Sequence, residues 1–267
     1  SPSPAPNTSL DGSNSLPVID PGPQAEAQTE PRLAAAHAPP NSQIYITHAH
    51  RDPVDGLARL QEATGAASVA IGRAHLDVPD VLNSPSGKSF IDLTFEPDRQ
   101  VADGDVIEGE DWAIEVVFTP GHAPDHICLS LKDRGVLFSG DHVMAWNTTV
   151  IAPPEGHMAD YMASLERLLD LNIDLHLPAH GGRLEDARRT VKAFLLHRQW
   201  REKAILQAIR KRGLTVRGIV GLIYRGLDED LVTAACLSVM AHVEHLREQN
   251  LVAYKEPLEF DTQLSAS

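Results

Sequence analysis

Four short motifs, spread over some 130 residues, each set a histidine or aspartate beside a glycine, a proline or the end of a strand-like run. The first is Thr47-His48-Ala49-His50-Arg51-Asp52, directly after the apolar run Ile44-Tyr45-Ile46. The others are Thr119-Pro120-Gly121-His122, Ser139-Gly140-Asp141-His142 and Pro178-Ala179-His180-Gly181-Gly182. Imidazole and carboxylate together suit zinc or a similar first-row cation. Two histidines at i and i+2 in a loop leaving a strand can both face one cation, and Asp52 continues the same phase. Alone that spacing is a weak signal; joined to His122, Asp141 and His180 it is a strong one. A chain that gathers four loops onto one metal centre points to a hydrolase.

The bulk numbers narrow this further. The 267 residues fit one large domain or two smaller ones, and an apolar content of 42% is enough for a proper core. A net charge of −14 argues against wholesale nonspecific binding of nucleic acid. The charge is uneven, however: between Arg188 and Gly226 there are eleven Arg or Lys and a single acid, Glu202. That segment is a candidate polyanion-binding surface, although a solvated helical face is the simpler reading. Cys128 and Cys236 lie far apart in apolar contexts, which predicts buried thiols in a reducing compartment rather than a disulfide. No run approaches the ~20 apolar residues of a membrane helix, and the N-terminal stretch does not read as a signal peptide. A cytoplasmic location and no membrane partner are therefore expected.

Along the chain, Ser1–Asn7 alternates proline and reads as loose. Leu16–Asp20 suggests a short strand, and Gln24–Ala38 a weak helix broken by Pro31. Ile44–Thr47 and Ala67–Ile71 read as strands around a helix at Val54–Ala63, with Asp52 as its N-cap and Pro53 at its first position. Residues 90–138 look β-rich, with runs at Trp112–Phe118, Ile127–Leu131 and Gly135–Phe138. Asp160–Leu171 is an amphipathic helix, and Ile173–Leu177 a strand leading to His180. Beyond Leu184 the pattern turns helical: Glu185–Arg212, Val216–Tyr224 and Leu231–Gln249, then a strand stub at Leu251–Tyr254. Three helices and a small β element fit a winged-helix-like appendage.

The motifs resemble those of the metallo-β-lactamase superfamily, whose members carry T-H-x-H-x-D-H, then T-P-G-H, S-G-D and a late A-H-G or G-H-G. The likeness covers about residues 11–185. Asp11–Ser15 and Val18–Pro23 are similar to the start of a subgroup with a C-terminal winged helix, which includes relatives of the β-lactamase-like protein 2 endoribonucleases; glyoxalase II-like thioesterases are a more distant likeness. The resemblance implies an α/β fold, the metallo-β-lactamase αββα sandwich, over residues 1–190 (1–10 loose). A helical winged-helix-like domain would follow over 191–267. It implies that His48, His50 and His122 bind a first metal, that Asp52 and His180 bind a second, and that Asp141 bridges them. Zinc, one or two ions per chain, would supply a bound hydroxide near neutral pH. Asp52 would also be catalytic, orienting the nucleophile or taking its proton.

The sequence departs from the pattern twice. Pro53 stands where the family has its next histidine, and proline offers no ligand atom, so the second site loses one ligand and activity is expected to weaken. The stretch between Asn14 and Val18 is also shorter than the pattern. His126 and His142, close to the motifs, read as supporting or structural rather than as ligands, and His37, His75, His157, His176 and His197 as ordinary. Trp146–Thr149 is read equally well as pocket lining or as a packed loop. Two functions fit: a hydrolase acting on an ester, thioester, lactone or phosphodiester, or a nucleic-acid-binding or endoribonuclease-like protein with a degenerate or structural metal site. The substrate is then a small molecule or RNA, with homo-oligomerisation left open. A β-lactamase proper is disfavoured because those enzymes are exported.

Overall fold

The computed structural model describes residues 17–22, 43–54, 56–72, 91–92, 94–109, 111–145 and 147–267, with Asp52 described by its backbone alone. The expectations for Asp11–Leu16, the helix at 24–38 and Trp146 lie outside the described residues. The first sheet is β1 (Val18–Ile19), β2 (Gln43–Tyr45), β3 (Ala67–Ala70) and β4 (Arg99–Gln100), in that order and all parallel. The second is β5 (Val106–Glu108), β6 (Ala113–Phe118), β7 (Ile127–Leu131), β8 (Val136–Gly140) and β9 (Leu175–Pro178), antiparallel as far as β8 and parallel at β8–β9.

Side-chain alternation sorts these strands into layers, because neighbouring residues of a strand face opposite sides. Tyr45 and Val69 of the first sheet share a core with Ile114, Val116, Ile127 and Leu129 of the second. Their neighbours face outwards. Ile44 and Ala70 pack under Leu57 and Leu60 of α2 (Leu57–Thr64). Val117, Cys128 and Leu137 pack under Tyr161, Leu165 and Leu168 of α3 (Met158–Asp170). Helix, sheet, sheet, helix is the expected αββα sandwich. Burial pushes the Cys128 thiol up to about 12, so it is an apolar filler rather than a nucleophile.

The helix predicted at Val54–Ala63 is instead two pieces. A short α1 (Arg51–Val54) precedes α2, and they meet at Gly56. The reason is a close approach: a Cβ on Gly56 would lie 2.4 Å from the Gly22 carbonyl oxygen. Asp52 therefore sits inside α1 instead of capping it, while Pro53 stays within the first turn, where no intrahelical N–H is needed.

α4 (Ala187–Arg212) runs from one core into another. Ala187 is buried, Val191 joins the α3 layer, and Ile205, Ala208 and Ile209 join a separate core with α5 (Val216–Ile223) and α6 (Glu229–Glu248). Gly213 ends α4 in the left-handed conformation, and Thr215 caps α5 by accepting the Gly218 N–H at 3.1 Å. The strand stub is β10 (Val252–Tyr254), paired antiparallel with a β11 (Leu264–Ala266) that the sequence pattern did not reveal. Among the described residues no helix is long and apolar enough to cross a membrane.

Candidate metal centre

Topology explains why four distant loops meet. β6 and β8 are each antiparallel to β7, so they run the same way, and β9 runs parallel to β8. Their C-terminal ends therefore share one edge, and His122, Asp141 and His180 lie just beyond them. His48 and His50 follow β2 in the other sheet, which is tied to this edge where Ile127 N–H donates to Thr47 O at 2.8 Å. Gly140 makes the Asp141 turn feasible. Its φ is +49°, and a Cβ there would lie 2.6 Å from His126 Nε2.

His48, His50 and His122 each offer one nitrogen, all lying within 4.8 Å of one another. Their rings stand nearly edge-on in every pair, at 77°, 75° and 86°. His122 Nε2 and His50 Nδ1 are 3.1 Å apart, close to the roughly 3.3 Å between neighbouring ligands of a tetrahedral cation with bonds of ~2.0–2.1 Å. His48 Nε2 is buried and has no hydrogen-bond partner. An orphaned imidazole nitrogen facing two others is costly in a protein interior, and a cation satisfies all three.

The nitrogens turned away from this point are held by partners. His122 Nδ1 donates to Val150 O at 2.8 Å, leaving Nε2 as the nitrogen able to take a metal. Thr47 Oγ1 donates to Asp20 Oδ2 at 2.8 Å, so it accepts from His48 Nδ1–H at 3.0 Å and leaves His48 Nε2 bare. His50 Nε2 lies 3.2 Å from Glu155 Oε2. Burial, then the neighbouring imidazoles, hold His48 well below the usual histidine range. It is thus neutral, the form that binds a metal.

Asp141 lies 3.8 Å from His122 Nε2 and 3.6 Å from His180 Nε2, so five of the six expected ligands converge. The sixth, Asp52, has a side chain outside the description. His126 braces the Asp141 turn, whereas the His142 ring is buried beside it with no hydrogen-bond partner for either nitrogen. His126 uses both nitrogens, accepting the Asp141 N–H at 3.2 Å and pairing with Thr119 Oγ1 at 2.9 Å; His142 lies against Tyr161, ring centroids 4.6 Å apart. Three acids with a part in the site were not singled out from sequence. Asp20 accepts from Thr47, Asp125 accepts the Ala49 N–H at 2.8 Å, and Glu155 faces His50. Burial pushes Asp125 up to about 6, against the pull of His50.

Comparison with known proteins agrees with this architecture. Residues 10–180 match the family described as the metallo-beta-lactamase superfamily, and residues 215–257 match the beta-lactamase associated winged helix domain. The beta-lactamase-like protein 2 homolog of Drosophila melanogaster is 31% identical over 77% of this chain and 68% of its own length. An atrochrysone carboxyl ACP thioesterase of Aspergillus fumigatus is 31% identical over 67% of this chain and 50% of its own. The lactamase-like protein adaB of Aspergillus niger is 28% identical over 72% of this chain, which spans 58% of that protein. A metallo-beta-lactamase family protein from Thermus thermophilus superposes over 97% of this chain and 92% of its own, with a TM-score of 0.75 at 20% identity. A further solved structure, 26% identical over 65% of this chain and 86% of its own with a TM-score of 0.51, is described as di-iron-bound. The chain belongs to the metallo-β-lactamase superfamily, with the β-lactamase-associated winged helix on its C-terminal side.

Proposed function

We propose that this protein is a metal-dependent hydrolase whose principal ion sits on His48, His50 and His122. The observation that carries the reading is the bare, buried His48 Nε2 facing two further imidazole nitrogens, with the outward nitrogens of all three rings engaged. The residues that would hold a divalent cation are these three histidines, and the chemistry it would supply there is a water of near-neutral pKa and polarisation of a carbonyl or phosphoryl oxygen. The chain's own part is to hold the ion, keep His48 neutral and set Asp141 beside His122 and His180. Asp52, which follows His50 by two residues, is assigned to orient the attacking water and accept its proton.

Zinc suits a three-histidine set with an open position, and the di-iron neighbour makes iron the alternative ion to test. Among esters, thioesters, lactones and phosphodiesters, a carrier-protein thioester is the first substrate to try, because one relative is named as such a thioesterase. The proposed setting is the cytoplasm, consistent with free, buried Cys128 and Cys236. The test is elemental analysis of protein purified without chelators, followed by turnover of the four substrate classes with zinc or iron restored. A protein that takes up neither ion and turns over none of them would falsify the proposal.

An endoribonuclease-like reading draws on exposed Arg189, Lys192, Lys203, Arg210 and Lys211 of α4. Part of the basic stretch is used internally, however. Arg198 is buried and donates to Thr149 O, and the Arg201 guanidinium lies 4.2 Å over the Tyr224 ring. RNA binding that collapses steeply with salt, together with RNA cleavage, would favour this second reading.

A further inference from the structure

The segment Thr149–His157 touches three of the four loops that carry the candidate ligands, and both lobes of the molecule. Towards the metal centre, Val150 O accepts from His122 Nδ1, and the Glu155 carboxylate, 7% exposed, faces His50 Nε2 at 3.2 Å from 105 residues away. Towards the sandwich, Thr149 Oγ1 donates to the Asp141 and His142 carbonyls at 2.8 and 3.0 Å, Ile151 is fully buried in the α3 layer, and His157 N–H donates to Gly121 O at 2.8 Å. Towards the C-terminal helices, Thr149 O accepts from Arg198 of α4, Ala152 packs on the winged-helix core, and the His157 ring pairs with Glu248 of α6 at 2.8 Å. The segment is folded tightly on itself, with Gly156 N–H donating to Ala152 O at 2.8 Å.

From this arrangement we infer that Glu155 is a positioning residue for His50, carried on a strap that the winged-helix lobe holds in place. The inference rests on the three-histidine metal site proposed above. A buried carboxylate is costly unless it is hydrogen-bonded or paired. Its partner here is the one nitrogen of His50 that does not face the other two rings. Accepting from Nε2–H fixes the tautomer that presents Nδ1 to the ion and raises the basicity of that nitrogen, as carboxylates behind metal-bound histidines do. Val150 serves His122 in the same way from the same segment, so displacing the strap disturbs two ligands together. The winged helix thereby contributes to metal affinity without supplying a ligand.

The experiment compares the full-length wild type with Glu155→Gln, Glu155→Ala and Arg198→Met. Zinc affinity is read by competition with a chromophoric chelator, and the His50 tautomer by nitrogen-15 NMR of the metal-free protein. Glu155→Ala should weaken zinc binding about ten- to a hundredfold and release His50 from the Nε2–H form. Glu155→Gln, which keeps an acceptor oxygen, should recover part of both effects. Arg198→Met cuts the strap from α4 without touching a ligand and should give a smaller loss. Combined with Glu155→Ala, its loss should fall short of the product of the two single losses, because both act through one element. Circular dichroism and melting of the metal-free proteins identify any variant that merely fails to fold; Glu155→Gln, nearly isosteric, then decides. Unchanged zinc affinity and tautomer in the folded Glu155 variants would overturn the positioning role. Losses that simply multiply would overturn the strap. If the wild type binds no zinc, the metal site itself is what fails.

Discussion

The two halves of the candidate metal centre offer different chemistry, three imidazoles in one and a carboxylate beside a single further imidazole in the other. In the three-histidine half, Val150, Thr47 and Glu155 each engage one ring nitrogen and leave the other aimed inwards. In the other half, Asp141 meets His122 and His180 at 3.8 and 3.6 Å, which is charge proximity rather than hydrogen bonding. Pro53 fills a buried place on α1 and contributes no ligand atom. In the three-histidine half the groups behind the rings set tautomer, aim and basicity; in the other half Pro53 stands where the family pattern has an imidazole, which lowers the number of ligands on offer.

The largest test of this contrast is a pair of substitutions. His122→Ala should lower metal affinity more than about a hundredfold, beyond the loss typical of an outer partner, and abolish turnover. His180→Ala should leave close to one ion per chain and a residual rate. Equal losses of metal by elemental analysis in the two variants would erase the distinction between the halves. Next in size is Pro53→His. The wild type should hold near one metal per chain, and the variant should rise towards two, since an imidazole then joins Asp141 and His180. A wild type already holding two would mean that water and the carboxylates suffice there.

The convergence of His48, His50, His122, Asp141 and His180 was legible from sequence because each stands in a short motif with a turn residue, on a loop after a strand. The C-terminal helices were legible because their apolar spacing and terminal glycines are local signals; Gly213, for instance, closes α4 where the pattern stops. Asp20, Asp125 and Glu155 were not singled out for the site. They meet the His48–His50 loop from 27, 76 and 105 residues away, and a single carboxylate carries no periodicity. The break at Gly56 was hidden for a similar reason. It arises from contact with the Gly22 backbone, which no local propensity encodes.

Asp20 gives the next smaller effect. It occupies a left-handed backbone position at φ 44°, where asparagine is also tolerated, so Asp20→Asn removes a carboxylate oxygen without adding backbone strain. Thr47 N–H and Oγ1–H both donate to this carboxylate, and an amide cannot accept both in the same way. A loss of about 1–3 kcal/mol in urea unfolding of the metal-free protein is expected. The Thr47 hydroxyl, released, can donate to His48 Nδ1 and push the proton onto Nε2, the ligand atom. Zinc affinity should therefore fall along with stability. A variant that loses stability but keeps full affinity would show that the Thr47 relay does not control His48.

The smallest effect sharpens the contrast from outside the site. One turn after Arg198, Glu202 accepts from His245 Nδ1 at 2.7 Å, with His242 Nδ1 3.6 Å away. Burial would raise Glu202, but the nearby His242 ring and the hydrogen bond from His245 prevail and bring it down to about 2. The hydrogen bond to Glu202 raises His245 above its ordinary 6.5, against burial. Glu202 has an ordinary value of 4.5, so its contribution is complete above that pH and disappears as pH falls towards 2. The His245 contribution is complete below 6.5 and is lost as pH rises through its raised folded value. Both are complete together only between 4.5 and 6.5. Glu202→Gln should cost most in that window, on the order of 1 kcal/mol or less because the carboxylate is partly solvated. Urea unfolding at a series of pH values, with and without zinc, should give the same difference profile. A profile that moves with zinc would mean that this ion pair, too, is coupled to the ligands, and the division between a supported metal half and the rest of the molecule would have to be redrawn along α4.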